Sequence, residues 1–113
     1  MIAETPSSRP ALPAEALEIA RRLGERMQAD AVWLYGSHAR GEAGPDSDLD
    51  FLVVVPDSAR SRYGRSVEAR RLVGDVVVPK DILVMTRQEW TRDLTVACSL
   101  ASTVSREGLL LHG

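Results

Sequence analysis

Two aspartates, Asp48 and Asp50, stand two residues apart at the start of the apolar run DLDFLVVV, which spans residues 48–55. If this run is a β-strand, the two side chains point to the same face, with Cα atoms roughly 6.5 Å apart. Two carboxylates held this close repel each other by roughly 3 kcal/mol at an effective dielectric near 20. Because a divalent cation would turn that repulsion into binding, the pair is a candidate metal site.

The chemistry of carboxylate oxygens indicates which metal this would be. They are hard ligands that suit Mg²⁺, and proteins usually bind Mg²⁺ through one or two carboxylates together with phosphate oxygens of a substrate. Two such ions about 3.5–4 Å apart stabilise the attacking and leaving oxygens of a phosphoryl or nucleotidyl displacement. Asp48 and Asp50 are therefore candidate Mg²⁺ ligands for a reaction at phosphorus.

The phosphate-binding half of such a site is predicted upstream, where Gly36 ends the apolar run AVWLYG (31–36) and Ser37 follows. A short helix over residues 37–43 would present free backbone N–H groups and the positive end of its dipole to phosphate oxygens. Gly36 allows close approach of the phosphate, the Ser37 hydroxyl can donate a hydrogen bond, and Arg40 adds positive charge one turn later. Gly36, Ser37 and Arg40 are therefore the predicted nucleotide-binding residues.

The elements that must position these residues follow from the spacing of apolar side chains. Helical spacing begins after Pro13, and β-prone runs mark the strands. Pro79 donates no ladder hydrogen bond, so it either breaks the last of these runs or marks an edge strand. The predicted order is helix (13–28), strand (31–36), short helix (37–43), strand (48–55), helix (59–74), one or two strands (75–86), long helix (88–106) and extended tail (109–113).

Length and composition narrow the class of protein. The 113 residues suit one domain, predicted over residues 12–113, and the Pro- and Ser-rich residues 1–11 are predicted to form a flexible N-terminal arm. A net charge of −2 disfavours direct binding of nucleic acid. The single cysteine, Cys98, allows no internal disulfide, and no apolar run has the length of a membrane span. We therefore expect a cytoplasmic protein with no membrane association.

A glycine-serine pair, ten residues and then Asp-x-Asp, found here as GS (36–37) and DLD (48–50), resembles the signature of the DNA polymerase beta-like nucleotidyltransferase superfamily. The longer stretch GSHARGEAGPDSDLDFLVV and the ending REGLLLHG are similar to its smallest members, the minimal nucleotidyltransferase antitoxins that partner HEPN toxins. His112 stands where that ending commonly has tyrosine. The resemblance implies an α/β fold of the α+β type, with a mixed central sheet flanked by helices.

The resemblance also implies a third carboxylate at the start of a neighbouring strand. Asp81, in KDILVMT, fits this context best because it leads into the strand that joins the final helix. Asp75, in GDVVVP, is the alternative. On this basis Asp48, Asp50 and Asp81 are the expected metal ligands, and Asp81 is also expected to help deprotonate the attacking hydroxyl.

By the same resemblance, the expected substrate is ATP, the expected cofactor is a pair of Mg²⁺ ions, and the expected acceptor is a tyrosine hydroxyl of a HEPN-type ribonuclease toxin in a hetero-oligomer. Larger members of the superfamily hold their acceptor with extra domains that we do not expect here, which favours an acceptor carried by another protein. Two alternatives stay open: a non-catalytic antitoxin that neutralises its partner by covering it, and an enzyme that modifies a small molecule.

Overall fold

Nine helices and strands account for the regular structure of residues 12–113, which are the residues that the computed structural model describes. The predicted flexible arm, residues 1–11, lies outside the described residues. In chain order the elements are α1 (Ala14–Arg26), β1 (Ala31–Tyr35), α2 (Ser37–Arg40), β2 (Leu49–Val55), α3 (Arg62–Leu72), β3 (Lys80–Thr86), α4 (Arg87–Leu94), α5 (Leu100–Glu107) and β4 (Leu109–His112). Within this part of the chain, no helix combines the length and the hydropathy needed to cross a membrane.

The four strands form one mixed sheet in the order β3-β2-β1-β4. β1 pairs with β2 and with β4 in antiparallel fashion, whereas β2 and β3 run parallel. Parallel neighbouring strands cannot be joined by a tight turn and need a crossover connection. Helix α3 forms this connection between β2 and β3. The predicted fold class, a mixed central sheet flanked by helices, is confirmed.

One face of the sheet carries the larger part of the core, beneath α1 and α3. Phe51 and Val53 of β2 point to this face and are fully buried in one cluster with Ile19 and Leu23 of α1. The helical spacing of the apolar residues in α1 places them on the side that meets the sheet. This face supplies stability, and the predicted carboxylates of β2 and β3 belong to the opposite face.

The opposite face of the sheet is covered by α4 and α5. Leu52 of β2 and Met85 of β3 pack with Val104 of α5. Trp33 of β1 and Trp90 of α4 stack, with ring centroids 5.7 Å apart and ring planes inclined by 27°. Both tryptophans therefore contribute to the contact between the sheet and α4.

The prediction of one long helix over residues 88–106 is wrong, because the chain forms two helices separated by residues 95–99. Ser99 begins the second helix: its hydroxyl oxygen accepts a hydrogen bond from the N–H of Ser102, which caps the helix N-terminus. Just before it, Cys98 adopts a φ of +64°, a conformation that no continuous helix contains. The apolar spacing continues across this break, so spacing alone could not reveal it.

The helix that follows Gly36 is shorter than predicted. Instead of two turns over residues 37–43, α2 has four residues and ends at Gly41, whose φ of +74° lies in the left-handed region. Glycine enters this conformation without a steric penalty and is common at helix ends. The turn between α2 and β2 is therefore longer than the sequence indicated.

Arg65 of α3 points into the protein and ties α3 to the start of α4. Its side chain is 8% exposed and donates to both carboxylate oxygens of Glu89, at 2.8 and 3.1 Å, and to the carbonyl of Val84 at 3.0 Å. Glu89 also accepts from the backbone N–H of Thr86, which completes a capping box at the start of α4. The hydrogen bonds from Arg65 lower the pKa of Glu89 to about 2.

Candidate active site

A row of polar side chains crosses three strands at one end of the sheet. Asp50 of β2 lies directly opposite Asp81 of the parallel strand β3 and opposite Tyr35 of the antiparallel strand β1. Residues that are aligned across a sheet point to the same face, and adjacent strands lie about 4.8 Å apart. We call Tyr35, Asp50 and Asp81 the acidic row.

The carboxylates of this region crowd one another. Asp50 is half-buried, and this burial raises the pKa of its carboxyl, with further contributions from the negative charges of Asp81 and Asp48. Burial together with the charges of Asp50 and Asp81 raises the pKa of the Tyr35 hydroxyl to about 12. Asp48 immediately precedes β2 and is exposed. The electrostatic field at this end of the sheet therefore favours a bound cation.

Gly36 brings its backbone against the central carboxylate of the row. Its φ of +78° and ψ of −155° lie in a region that is essentially restricted to glycine. A Cβ atom at this position would lie 2.4 Å from Oδ2 of Asp50, which is far inside van der Waals contact. The sequence suggested that Gly36 makes room for a phosphate, and the structure adds a second reason, which is room for Asp50.

Ser37 and Arg40 lie in the single turn of α2 that follows Gly36. The first N–H groups of a helix have no acceptor within it, so those at the start of α2 are available to a ligand. The carbonyl of Gly36 accepts hydrogen bonds from the N–H groups of Ala39 and Arg40. The guanidinium of Arg40 pairs with Glu42 at 2.9 Å, so part of the positive charge predicted for phosphate binding already faces a carboxylate.

The two alternatives for the third carboxylate occupy different places. Asp81 lies in the acidic row, opposite Asp50. Asp75 lies in the turn before β3, and its carboxylate accepts a hydrogen bond from Arg22 of α1, which lowers its pKa. The geometry therefore supports Asp81, and Asp75 has a structural partner elsewhere.

Tyr35 is a member of the acidic row that sequence reasoning did not include. It directly precedes Gly36, but only the register between β1 and β2 shows that it faces Asp50. The sequence contains no signal for this register, since hydrophobic alternation gives the faces of a strand and not its neighbours.

The side chains of the site suit a metal ion whose coordination is completed by oxygen atoms of the substrate. Within residues 12–113, no group of three or more His, Cys, Asp or Glu side chains is placed so that it could hold a metal ion alone. Mg²⁺ is typically bound by one or two carboxylates together with substrate phosphates and water. The crowded carboxylates Asp48, Asp50 and Asp81, beside the Gly36 turn, fit this mode of binding.

The shape of the protein surface alone would not identify the acidic row as the functional site. A cavity of about 180 Å³ lies near the carboxyl ends of β2 and β3, where Val55 and Val84 contribute to its lining. The acidic row lies at the amino ends of the same two strands. We place the site at the acidic row because the grouped carboxylates and the glycine turn supply chemistry that the cavity does not.

Comparison with known protein families identifies the class of protein to which the chain belongs. Residues 15–108 match the model of the nucleotidyltransferase domain family, and the chain belongs to that family. The matched range includes Gly36, the acidic row and both alternatives for the third carboxylate. Family membership supports nucleotidyl transfer as the general reaction and makes the protein a transferase.

One solved structure with a similar fold is that of a candidate nucleotidyltransferase from Sulfolobus solfataricus. It aligns with a TM-score of 0.52 and 20% sequence identity, over 88% of this chain and 88% of that one. At this identity the likeness concerns the fold. No protein of curated function matches the chain.

Proposed function

We propose that this protein is a Mg²⁺-dependent nucleotidyltransferase of the cytoplasm that transfers AMP from ATP to a tyrosine hydroxyl of a HEPN-type toxin, and so acts as the antitoxin of the pair. The observation that carries the proposal is the pairing of Asp50 with Asp81 beside the Gly36–Ser37 turn. This pairing puts carboxylates from two strands next to a backbone turn with free N–H groups. That combination suits a metal-bound triphosphate.

Each predicted residue has a role in this proposal. Asp48, Asp50 and Asp81 would hold two Mg²⁺ ions, which when bound neutralise the charge that develops on the phosphates. The N–H groups at the start of α2 and the Ser37 hydroxyl would donate to phosphate oxygens. Arg40 would exchange part of its contact with Glu42 for the triphosphate.

The transfer itself is a displacement at phosphorus. The tyrosine oxygen forms a bond to the α-phosphorus of ATP, the bond from that phosphorus to the bridging oxygen breaks, and pyrophosphate leaves with the electron pair. The hydroxyl proton passes to the carboxylate of Asp81 and from there to water. Asp81 is exposed at the edge of the sheet, so an acceptor carried by a separate protein can approach it.

A second candidate function is neutralisation of the toxin by coverage alone, without catalysis. Exposed apolar side chains around the junction of α4 and α5 favour a protein partner: Leu94 is 38% exposed, Val96 51% and Leu100 39%. Large apolar side chains that are grouped at a surface often mark protein interfaces. A hetero-oligomer with the toxin is compatible with either function.

The test incubates the purified protein with ATP labelled at the α-phosphate, Mg²⁺ and the HEPN-type toxin. We expect label on a tyrosine of the toxin with the wild-type protein, no label with Asp50→Asn, and normal labelling with the matched variant Asp75→Asn. A wild-type protein that transfers no label, with neutralisation of the toxin unchanged in Asp50→Asn, would establish coverage and refute catalysis.

A further inference from the structure

The turn between α2 and β2, residues 41–48, joins the two halves of the candidate site. At its start, the N–H of Glu42 donates to the carbonyl of Ser37 at 2.9 Å. At its end, Gly44 and Ser47 close a small loop: the N–H of Gly44 donates to the Ser47 hydroxyl at 2.9 Å, and the N–H of Ser47 donates to the Gly44 carbonyl at 3.2 Å. Asp48 follows this loop directly.

A histidine side chain connects α2 to the far end of this turn. Nε2 of His38 lies 3.2 Å from the carbonyl oxygen of Ser47, nine residues further along the chain, in a part-buried position. A carbonyl oxygen can only accept a hydrogen bond, so Nε2 carries the proton and donates it. The side chain that begins one residue after Ser37 thus holds the backbone one residue before Asp48.

We propose that His38 is a positioning residue for nucleotidyl transfer, and that its hydrogen bond to the Ser47 carbonyl fixes Asp48 relative to the Gly36–Ser37 turn. The proposal rests on the proposed function of the site. The bonds between Gly44 and Ser47 stabilise the shape of the small loop, but both partners lie within it. The bond from His38 sets the distance between that loop and α2.

A fixed distance at this point matters because the two halves of the site act on one substrate. The start of α2 would hold the phosphates, and Asp48 would hold metal that contacts the same phosphates. Reactions that depend on alignment are sensitive to displacements of about 1 Å. Supporting hydrogen bonds of this kind keep ligating side chains in their productive orientation.

Three substitutions of His38 distinguish the contribution of the hydrogen bond from the contribution of the imidazole ring itself. In His38→Gln, the amide nitrogen lies about as far from Cβ as Nε2 does, so it can donate to the same carbonyl. In His38→Asn, the amide nitrogen ends near the position of Nδ1 and falls short. His38→Leu has no donor.

We expect kcat for nucleotide transfer to fall roughly five- to tenfold in His38→Asn and His38→Leu, which is the value of one hydrogen bond. We expect kcat of His38→Gln to stay within about twofold of the wild type, and KM for ATP to change less than about twofold in all three variants. Equal kcat values in all four proteins, or a His38→Gln variant as impaired as His38→Leu, would overturn the role of His38.

Amide hydrogen exchange provides a readout that does not depend on activity. Exchange across residues 41–50 should be roughly five- to tenfold faster in His38→Asn and His38→Leu than in the wild type, and unchanged in His38→Gln. Unaltered exchange in every variant overturns the inference. A wild-type protein without transfer activity would instead refute the proposed function, so the two failures are distinguishable.

Discussion

Replacing Gly36 by alanine should damage both the stability of the fold and the candidate site, for two separate reasons. The backbone at this position has a φ of +78° and a ψ of −155°, which residues with a Cβ adopt only under strain. The added Cβ would also lie 2.4 Å from Oδ2 of Asp50, whereas ordinary contact begins near 3.4 Å. The Asp50 carboxylate would therefore have to move by about 1 Å.

The size of each effect follows from these values. A glycine-only conformation forced on alanine destabilises the fold by about 1–3 kcal/mol, which corresponds to a fall in Tm of roughly 5–20 °C for a domain of this size. A displacement of about 1 Å in a group that aligns the reaction lowers the rate by roughly 100-fold. We expect Gly36→Ala to show both effects.

The matched control is Gly44→Ala, in the turn that follows α2. A Cβ at Gly44 would meet no atom within 4 Å, and its φ does not lie in the left-handed region. Thermal unfolding and steady-state transfer kinetics should therefore be close to wild type for this control. If Gly36→Ala behaved like Gly44→Ala in both measurements, the close contact between Gly36 and Asp50 would not be a feature of the active protein.

Three further predictions concern other parts of the fold. Asp81→Asn should lower transfer by roughly 100-fold or more, while Asp75→Asn stays within about threefold of wild type, as measured by steady-state kinetics; equal losses would contradict the choice of Asp81. Because the folded pKa of Glu89 is depressed to about 2, the stability from its pairing with Arg65 is complete above the ordinary Glu pKa and is lost as pH falls through the folded value. The destabilisation caused by Arg65→Met, from urea unfolding, should thus be about 1–2 kcal/mol larger at pH 6 than at pH 3, and a pH-independent difference would refute this. Trp90→Ala should destabilise the fold by about 2–3 kcal/mol and abolish the near-ultraviolet circular dichroism of the stacked indoles, and an unchanged spectrum would contradict the stacking.

Much of the fold could be predicted from local sequence signals. The alternation in DLDFLVVV predicts a strand with Asp50 on one face and Phe51 on the other, and both placements are confirmed. Pro79 predicts a break in the run 75–86 or an edge strand, and β3 both begins directly after it, at Lys80, and lies at the edge of the sheet. These predictions succeed because they depend on side-chain periodicity and on the missing N–H of proline.

The arrangement of the site could not be predicted in the same way. Which strands are neighbours, and in which register, depends on packing across the whole sheet, so local patterns alone did not place Asp81 or Tyr35 beside Asp50. The family resemblance indicated Asp81, and nothing in the sequence indicated Tyr35. The contact between Gly36 and Asp50 was missed for the same reason. The roles of Asp48, Asp50, Asp81, Ser37 and Arg40 stay predictions until the variants are measured.

The antiparallel direction of β1 explains why the candidate site lies at this end of the sheet, where β1 finishes and β2 and β3 begin. In open parallel sheets, ligands bind at the carboxyl ends of the strands. Here β1 runs opposite to β2 and β3, so the turn at its carboxyl end meets the amino ends of those strands. One edge therefore combines free N–H groups from one strand connection with carboxylates from two other strands.

Those carboxylates repel each other, but Phe51 and Leu52, fully buried on opposite faces of β2, hold that strand in place and prevent the carboxylates from separating. The core thus keeps together charges that would otherwise move apart, and a divalent cation is the ligand that most directly relieves their repulsion.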